Sequence, residues 1–502
     1  VSGDVREPAP EGSIRGDRAR RPDSRRGPRL TWPGRKWRAG EPRLQGPPLR
    51  PVERHGPSPA GRLVHGDCLD VAAALTSAGL DGAVDLIYVD PPFASQASYT
   101  QEVRLDGPAD GRVKRTRAYD DSWPDRRRAG AEDLEDGVGA YLDMLAPRLE
   151  AMAALLAPTG SLWVHLDWRA AYLVRVLLDE LLGRDRFLNE IVWRRAPNLG
   201  RQAASGQFGR TLDTLVVYGG PRARLVPPTR LEPIAPGQVK RDDEGRAFTT
   251  APRGDYTDAS MRRLAAEGRV HTTASGRQYV KYFLEPNAAG ELCRERRIDT
   301  LWTDIPPLRH VAVSERTGFP TQKPRALLER IIRCASPEGG LVVDLFCGSG
   351  TTGEVAASLG RRFVVGDQSP VALNTARARL MRAGASFSVE SCGGSVAPCE
   401  AVPEVRVSRP DLALEVRVEL VEPAEPLAWA IAPAPVGDAP FVPFWHSERR
   451  PGAVPVPAAR EAALPAELTG AAGRGGVPLE VRVYGDDGSV AARRCAAEGG
   501  GA

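Results

Sequence analysis

The sequence predicts an α/β fold built on a doubly wound, mostly parallel sheet, with a small β domain appended toward the C-terminal end. Three observations carry this. Apolar, β-branched runs such as AVDLIYVD (83–90), SLWVHLD (161–167), GGLVVDLF (339–346) and RRFVVGD (361–367) lack polar alternation, as strands buried on both faces do. Amphipathic segments of helical spacing stand between them. Two of the runs end directly in backbone punctuation, Asp90-Pro91-Pro92 and Phe346-Cys-Gly348-Ser-Gly350, at the strand ends where such sheets bind ligands.

In chain order, residues 1–60 are dense in Pro, Gly and Arg without periodicity and read as a disordered basic tail. RLVHGD (62–67) reads as a strand and CLDVAAALTSAGL (68–80) as a helix, followed by the strand ending at Asp90. Residues 94–136 are polar and basic, too long for a plain connection and so functional or mobile. GVGAYLDMLAPRLEAMAALLAPTG (137–160) and WRAAYLVRVLLDELLG (168–183) are helices bracketing the strand SLWVHLD. FLNEIVWRR (187–195) and TLDTLVVYGG (211–220) read as strands around an Arg- and Gly-containing loop, and 220–316 as irregular. Then helix, strand, helix, strand and helix follow from KPRALLERIIRCAS (323–336) to SPVALNTARARLMRA (369–383). The two α/β blocks are each too short for a full sheet and are expected to complete one between them. EVRVSRPDLALEVRVEL (404–420) and LEVRVYGDDGSV (479–490) alternate with period two, which supports a Pro/Ala-rich linker and small β domain over 391–502.

The chain has 502 residues, 42% of them hydrophobic, enough for two or three domains. It contains no apolar stretch of about 18 residues, so no membrane span is expected. Seven scattered cysteines without a C-x-x-C pair, and six histidines without ligand spacing, favour a reduced cytoplasmic protein and no metal. His65 and His165 lie within apolar strands and read as core. Residues 1–60 hold 13 Arg and 1 Lys against 7 acids, a local charge of +7 in a chain of +4. A basic tail on a near-neutral body fits a polyanionic partner as well as it fits a solvated tail.

Gly348-Ser-Gly350-Thr-Thr-Gly353 after a buried strand, with Asp367 downstream, has the outline of a dinucleotide site. A nicotinamide-dependent oxidoreductase is therefore one reading, but it leaves Asp90-Pro91-Pro92-Phe93 unexplained. Proline has no N–H, so Pro91 and Pro92 bring carbonyls without competing donors, while Asp90 adds a carboxylate and Phe93 a flat apolar face. Acceptors beside an aromatic plate suit an exocyclic amine on a planar base. They favour the pyramidal nitrogen that forms as the amine attacks an electrophile.

Together, Asp90-Pro-Pro-Phe93 and Asp344-Leu-Phe346-Cys-Gly348-Ser-Gly350 resemble the amino-group DNA methyltransferases, which make N6-methyladenine or N4-methylcytosine. The order resembles the beta class, with the D-P-P-[YF] motif first, a target-recognition region in the middle and the S-adenosyl-L-methionine (AdoMet) block last. TGFPTQKPRALLERII (317–332) is similar to the segment ahead of the AdoMet strand in that class, and LWTDIPP (301–307) to its middle region. The resemblance covers about 61–390: a catalytic block (61–183), a target-recognition region (184–316) and an AdoMet block (317–390). It implies a Rossmann-like, AdoMet-dependent methyltransferase. Asp90, Pro91, Pro92 and Phe93 would hold the target base. Phe346, Gly348 and Gly350, with Asp344 and Thr351 beside them, would approach the methionine part of AdoMet. Thr321 and Lys323 would face its carboxylate, Asp367 its ribose, and Asp67 with Cys68 its adenine end. Phe93 stands where Tyr is commoner, and Gln368 where an apolar or acidic residue is usual. Asp ahead of Pro-Pro leans toward adenine N6 over cytosine N4.

The resemblance further implies base flipping, a double-stranded DNA partner and a restriction–modification setting. It leaves a homodimer open. RNA and protein-glutamine methyltransferases carry the glycines before N/D-P-P-[YF], the reverse of the order here. A cytosine-C5 enzyme would need a thiolate, and the Pro-Cys at 398–399 lies in the tail beyond the AdoMet block. Phosphate contacts are expected from Arg194, Arg195 and Arg201, in a stretch (184–230) with 9 Arg and 3 acids, and from Arg115 and Arg117 in the 112–128 stretch.

Overall fold

The computed structural model describes residues 29–32, 34–38, 40, 46–104, 113–123, 137–196, 206 and 208–393, and seven strands between 404 and 495. Arg201 and the Arg112 and Arg126–Arg128 part of the basic stretch lie outside the described residues. The first block runs β1 (Leu49–His55), β2 (Gly61–His65), α1 (Cys68–Leu75), β3 (Val84–Val89), β4 (Ala97–Arg104), β5 (Val113–Asp121), α2 (Gly137–Leu155), β6 (Leu156–Leu166), α3 (Ala171–Leu182), β7 (Phe187–Arg194) and β8 (Leu212–Gly219). The middle region holds β9 (Thr229–Pro233), β10 (Lys240–Arg241), β11 (Ala247–Pro252), α4 (Asp258–Ala266), β12 (Val270–Thr272), β13 (Gln278–Phe283), β14 (Glu285–Pro286), β15 (Leu292–Arg297) and β16 (Leu301–Trp302). Then come α5 (Arg325–Ala335), β17 (Leu341–Asp344), α6 (Thr351–Ser358), β18 (Arg362–Asp367), α7 (Pro370–Arg382) and β19 (Phe387–Cys392).

One ten-stranded sheet, in the order β1-β19-β2-β18-β17-β3-β6-β8-β7-β16, joins both α/β blocks. Only β1 and β8 run against the other strands, so the sheet is mostly parallel as expected. Its central strands β3 and β17 are apolar because both faces are covered. Leu86 and Tyr88 of β3 pack with residues of α5, α6 and α7, while Ile87 and Val89 pack with residues of α1, α2 and α3. Asp67 caps α1 by accepting from Leu69 N at 2.8 Å, and Ser369 caps α7 with Pro370 in its first turn.

The two blocks meet where β17 pairs in parallel with β3, Val342 opposite Leu86 and Val343 opposite Ile87. From this seam the chain winds outward both ways, toward β6 on one side and β18 on the other. That is the topological switch point, and both punctuated strand ends, after Val89 and at Asp344, open onto it.

Three expectations change. The tail boundary at residue 60 lies earlier, since β1 is an edge strand of the main sheet and Trp37 is buried. The Trp37 indole donates to Glu150 at 3.2 Å and Arg35 pairs with Glu180 at 2.7 Å, so this Arg-rich stretch spends charge on α2 and α3. The stretch after residue 94 contains an antiparallel hairpin, β4 with β5, whose polar residues misled because one hairpin face is solvated. Residues 220–316 contain two small antiparallel sheets, β10-β11-β13-β12 and β14-β15-β9, with strands too short to show a period.

Beyond β19, β20 (Glu404–Ser408), β21 (Arg417–Glu422) and β24 (Glu461–Ala463) form one antiparallel sheet. β22 (Ala428–Pro433), β23 (Trp445–Glu448), β25 (Leu479–Tyr484) and β26 (Val490–Cys495) form another. β25 is bound to the main sheet through Glu53 of β1, which is 1% exposed. Tyr484 donates to Glu53 Oε2 at 3.1 Å, Arg482 to Oε1 at 3.2 Å, and Arg377 of α7 lies 3.2 Å from Oε2. Burial opposes the Glu53 charge, but Arg377, His55 and Arg482 outweigh it and hold the carboxyl well below the usual range. Stability from this group is therefore present at neutral pH and lost on acidification below the ordinary carboxylate range. Glu53→Gln strands the buried Arg377 charge and is expected to cost about 3–5 kcal/mol in chemical denaturation; a change under about 1 kcal/mol would contradict this account.

Candidate active site

β17 ends at Asp344, and the chain turns through Gly348 and Gly350 into α6. Both glycines are left-handed, at φ 47° and 75°. A Cβ on Gly350 would lie 2.7 Å from Ala376 Cβ, and one on Gly348 3.0 Å from the Phe319 ring. The glycines are thus demanded by conformation and by α7 and Phe319 behind them. Gly353 packs: its Cβ would stand 3.2 Å from Val365. Arg379 of α7, 2% exposed, braces the turn by donating to Thr351 Oγ1 at 2.9 Å and Ser349 Oγ at 3.2 Å.

Two carboxylates, Asp344 buried and Asp367 half-buried, tie the turn down. Asp344 accepts from Phe346 N at 3.0 Å and Thr352 Oγ1 at 2.5 Å. Asp367, at the end of β18, accepts from Gly348 N at 3.0 Å and Ser369 N at 2.8 Å. Burial pushes Asp344 up to about 7, with Asp90 and Asp367 adding to the effect and its two hydrogen bonds opposing it. Burial pushes Asp367 up to about 6 against the amides of Ser369, Gly348 and Gln368.

Across the seam, Asp90 follows β3. Its Oδ2 accepts from Lys323 Nζ, and its Oδ1 is buried with no hydrogen-bond partner among the described residues. The Lys323 ammonium also stands 5.2 Å from the Phe93 ring centre. Phe93 in turn stacks on His165, centroids 6.1 Å apart and planes 26° apart. His165 is buried as expected, held by Tyr88 Oη at 2.8 Å and Asp213 at 3.1 Å, whereas His65 is half-buried and reaches Gln368 O at 3.2 Å.

Lys323 is delivered by the T-Q-K-P segment. Gln322 folds that loop, accepting from Thr317 N at 2.9 Å and donating to Glu315 O at 2.8 Å, and Pro324 opens α5. Thr321 sits at φ 61° beside Tyr119, whose hydroxyl donates to it at 3.2 Å.

A cavity of about 540 Å³ lies between the two strand ends. Asp67, Cys68, Asp90, Pro92, Thr321, Lys323, Asp344, Phe346, Gly348, Thr351 and Asp367 all line it, from five separate stretches of the chain. Pro91, Phe93 and Gly350 stand behind its wall, outside the lining. Among the lining residues that sequence reasoning missed are Arg148, which pairs with Asp67 at 2.5 Å, Tyr119 and Phe319. No local signal marks Arg148 and Tyr119, because their neighbours in the cavity are distant in sequence, whereas Phe319 stands inside the TGFPTQKP segment beside Thr321. Burial pushes the Cys68 and Cys347 thiols well above their ordinary range, which disfavours the thiolate.

The arginines expected on DNA fall in two places. Arg194 is exposed at the end of β7, and Arg195 beside it pairs with Asp213 at 2.7 Å. Arg115 and Arg117 are exposed on β5, with Arg117 paired to Asp120 and lining the cavity.

The N6/N4 methyltransferase family model, described as DNA methylase, matches residues 84–377, more than half of the chain. The chain belongs to the DNA methylase family. Among its relatives, the Type II methyltransferase M.EcaI of Enterobacter cloacae is 26% identical over 323 residues, 59% of this chain and 64% of that protein. The Type III restriction-modification enzyme StyLTI Mod subunit of Salmonella typhimurium is 25% identical over 358 residues, 59% of this chain and 49% of that protein. The chain thus spans less than two thirds of the length of either relative. Among solved structures, the M1.HpyAVI–SAM complex is 16% identical with a TM-score of 0.34, covering 64% of this chain and 98% of that one. The cytosine-N4-specific PvuII DNA methyltransferase is 15% identical with a TM-score of 0.37, covering 66% and 90%. The oxidoreductase alternative has no place in this family. Among the described residues no cluster of ligands could hold a metal, and no helix is long and apolar enough to cross a membrane.

Two expectations follow for this chain. Gly350→Ala forces a left-handed alanine against Ala376 and should lower stability by about 2 kcal/mol or more in thermal unfolding. Asp344 is raised in the fold, so the folded state keeps its proton longer than the unfolded chain, and stability should fall as pH rises from about 4 to about 7. Asp344→Asn cannot ionise and should flatten that part of the pH–stability curve; an unchanged slope would refute the assignment.

Proposed function

We propose that this methylase transfers a methyl group from AdoMet to the exocyclic amine of a flipped base in double-stranded DNA, with adenine N6 as the target. The observation that carries this is the environment of Asp90. One of its oxygens receives an N–H donor, Lys323 Nζ, beside the Phe93 ring, and the other is a buried acceptor without a partner among the described residues. This is already a seat for an amine between a carboxylate and an aromatic face.

The cavity beside it suits AdoMet in size and in chemistry. Asp67, Arg148 and the Gly348 turn all line it, and Asp367 keeps lone pairs beyond the amides it receives. In this reading Asp67 and Cys68 border the adenine, Asp367 takes ribose hydroxyls, and Phe346, Gly348, Gly350, Thr351 and Asp344 surround the methionine end with Thr321. AdoMet supplies the methyl group. Asp90 and the Pro91 carbonyl accept from the two amino hydrogens, which turns the nitrogen lone pair out of conjugation and toward the methyl carbon. The Asp90 carboxylate is the acceptor for the proton the nitrogen gives up. Phe93 stacks the base, and its missing phenolic hydroxyl removes nothing that stacking needs. Lys323 gives up its hold on Asp90 as the base arrives and turns toward the cavity. Arg194, Arg195, Arg115, Arg117 and Arg201 supply phosphate contacts, so binding should weaken steeply with salt.

Incubation with AdoMet and mixed-sequence DNA, read by nucleoside mass spectrometry, is expected to give N6-methyladenine. N4-methylcytosine would move the target base, and product on RNA or protein alone would overturn the substrate. Asp90→Ala should lower transfer by at least about 10²-fold while leaving AdoMet affinity within a few-fold; normal turnover by this variant would sink the role given to Asp90.

A further inference from the structure

We propose that Asp121 is the positioning residue of the catalytic turn, a built-in anion around which the backbone after Asp90-Pro91-Pro92 is wound. The inference rests on the methyl-transfer reading of that turn. Asp121 is the last residue of β5 and is 1% exposed. Its Oδ2 accepts from Phe93 N at 3.1 Å and from Ser95 N at 2.8 Å. Its Oδ1 accepts from Ala94 N at 3.1 Å and from Trp123 Nε1 at 2.8 Å. Pro91 and Pro92 have no N–H, so the first three amides that the turn possesses all converge on one carboxylate.

Convergence of successive amides requires an unusual backbone. Ala94 and Gln96 are at φ 56° and 58°, left-handed without being glycine. Such a conformation turns consecutive N–H groups inward into an anion-binding nest and costs a side-chain-bearing residue free energy. Here the anion is part of the chain. The ring is closed by Gln96 N donating to the Asp121 carbonyl at 3.0 Å and Trp123 N donating to Gln96 Oε1 at 3.0 Å. Phe93 begins this clamped run and Asp90 stands three residues ahead of it, so the orientation of plate and carboxylate follows from the clamp.

The same strand forms a wall of the cofactor cavity. The Ala118 carbonyl accepts from Ser369 Oγ at 2.8 Å, and Tyr119 reaches Thr321. β5 therefore registers the catalytic turn against the cavity wall, with only Asp120 between Tyr119 and Asp121.

Asp121→Asn tests this, because the amide keeps the shape but turns one acceptor into a donor facing backbone N–H groups. Calorimetric AdoMet affinity should stay within about threefold of wild type. Single-turnover methyl transfer should fall on the order of 10²-fold, as expected when reacting groups are misplaced by about an ångström. Hydrogen exchange of the peptide bearing the amides of 93–95 should speed up at least tenfold while the sheet stays protected. Wild-type transfer together with wild-type exchange would overturn the proposal. So would a loss of AdoMet affinity that matches the loss of rate, since Asp121 would then serve only the cavity wall. Asp121→Ser, which keeps one acceptor, provides the same comparison if the amide variant does not fold. The exchange measurement needs no substrate: a wild-type chain inert toward DNA would defeat the methyl-transfer reading, while the clamp would still be judged by exchange.

Discussion

The parallel pairing of β3 with β17 is the constraint from which the site follows. Two strands some 250 residues apart are held side by side at Val342 and Leu86, so that their ends open on the same crevice. A slip of one residue would turn Ile87 and Val343 to the wrong face of a sheet buried on both sides. The register is thus defended by packing on both layers, and with it the separation of Asp90 from the glycine turn.

That arrangement gathers carboxylates around one cavity: Asp67, Asp90, Asp344 and Asp367. Mutual repulsion and burial would defeat it without compensation. Asp67 has Arg148, Asp90 has Lys323, and Asp344 and Asp367 have backbone amides and a hydroxyl instead of cations. The last two are accordingly the groups whose protons are held more tightly than usual. In the proposed reaction this is an economical arrangement, because a positively charged methyl donor would itself supply the missing counter-charge when bound.

Elements outside the α/β core also bear on the site. α7 is buried nearly all round because β5 lies against one side and β25 reaches it near Arg377. Its Arg379 braces the glycine turn and its Arg377 meets Glu53, so one helix links the cofactor cavity to the C-terminal strands. The His165 line beneath Phe93 does the same for the other block, running from Tyr88 through Asp213 to Arg195.

Sequence alone determined the layers, the mostly parallel sheet and the two punctuated strand ends, because buried strands must be apolar and because glycine and proline mark strand ends with little ambiguity. It singled out Asp90, Lys323, Asp344 and Asp367, which the fold brings to one cavity. It could not reveal that Lys323 pairs with Asp90, or that Gly350 answers to Ala376. Nor could it show that YDDSW ends a hairpin whose Asp121 accepts the amides of the turn after Pro92. The β1 edge strand and the middle sheets escaped for a related reason: their residues look polar or irregular until a partner strand covers one face. Periodicity reports what a segment does with its own neighbours. Which carboxylate meets which amide is decided by tertiary contacts across hundreds of residues, and only the folded chain brings those together.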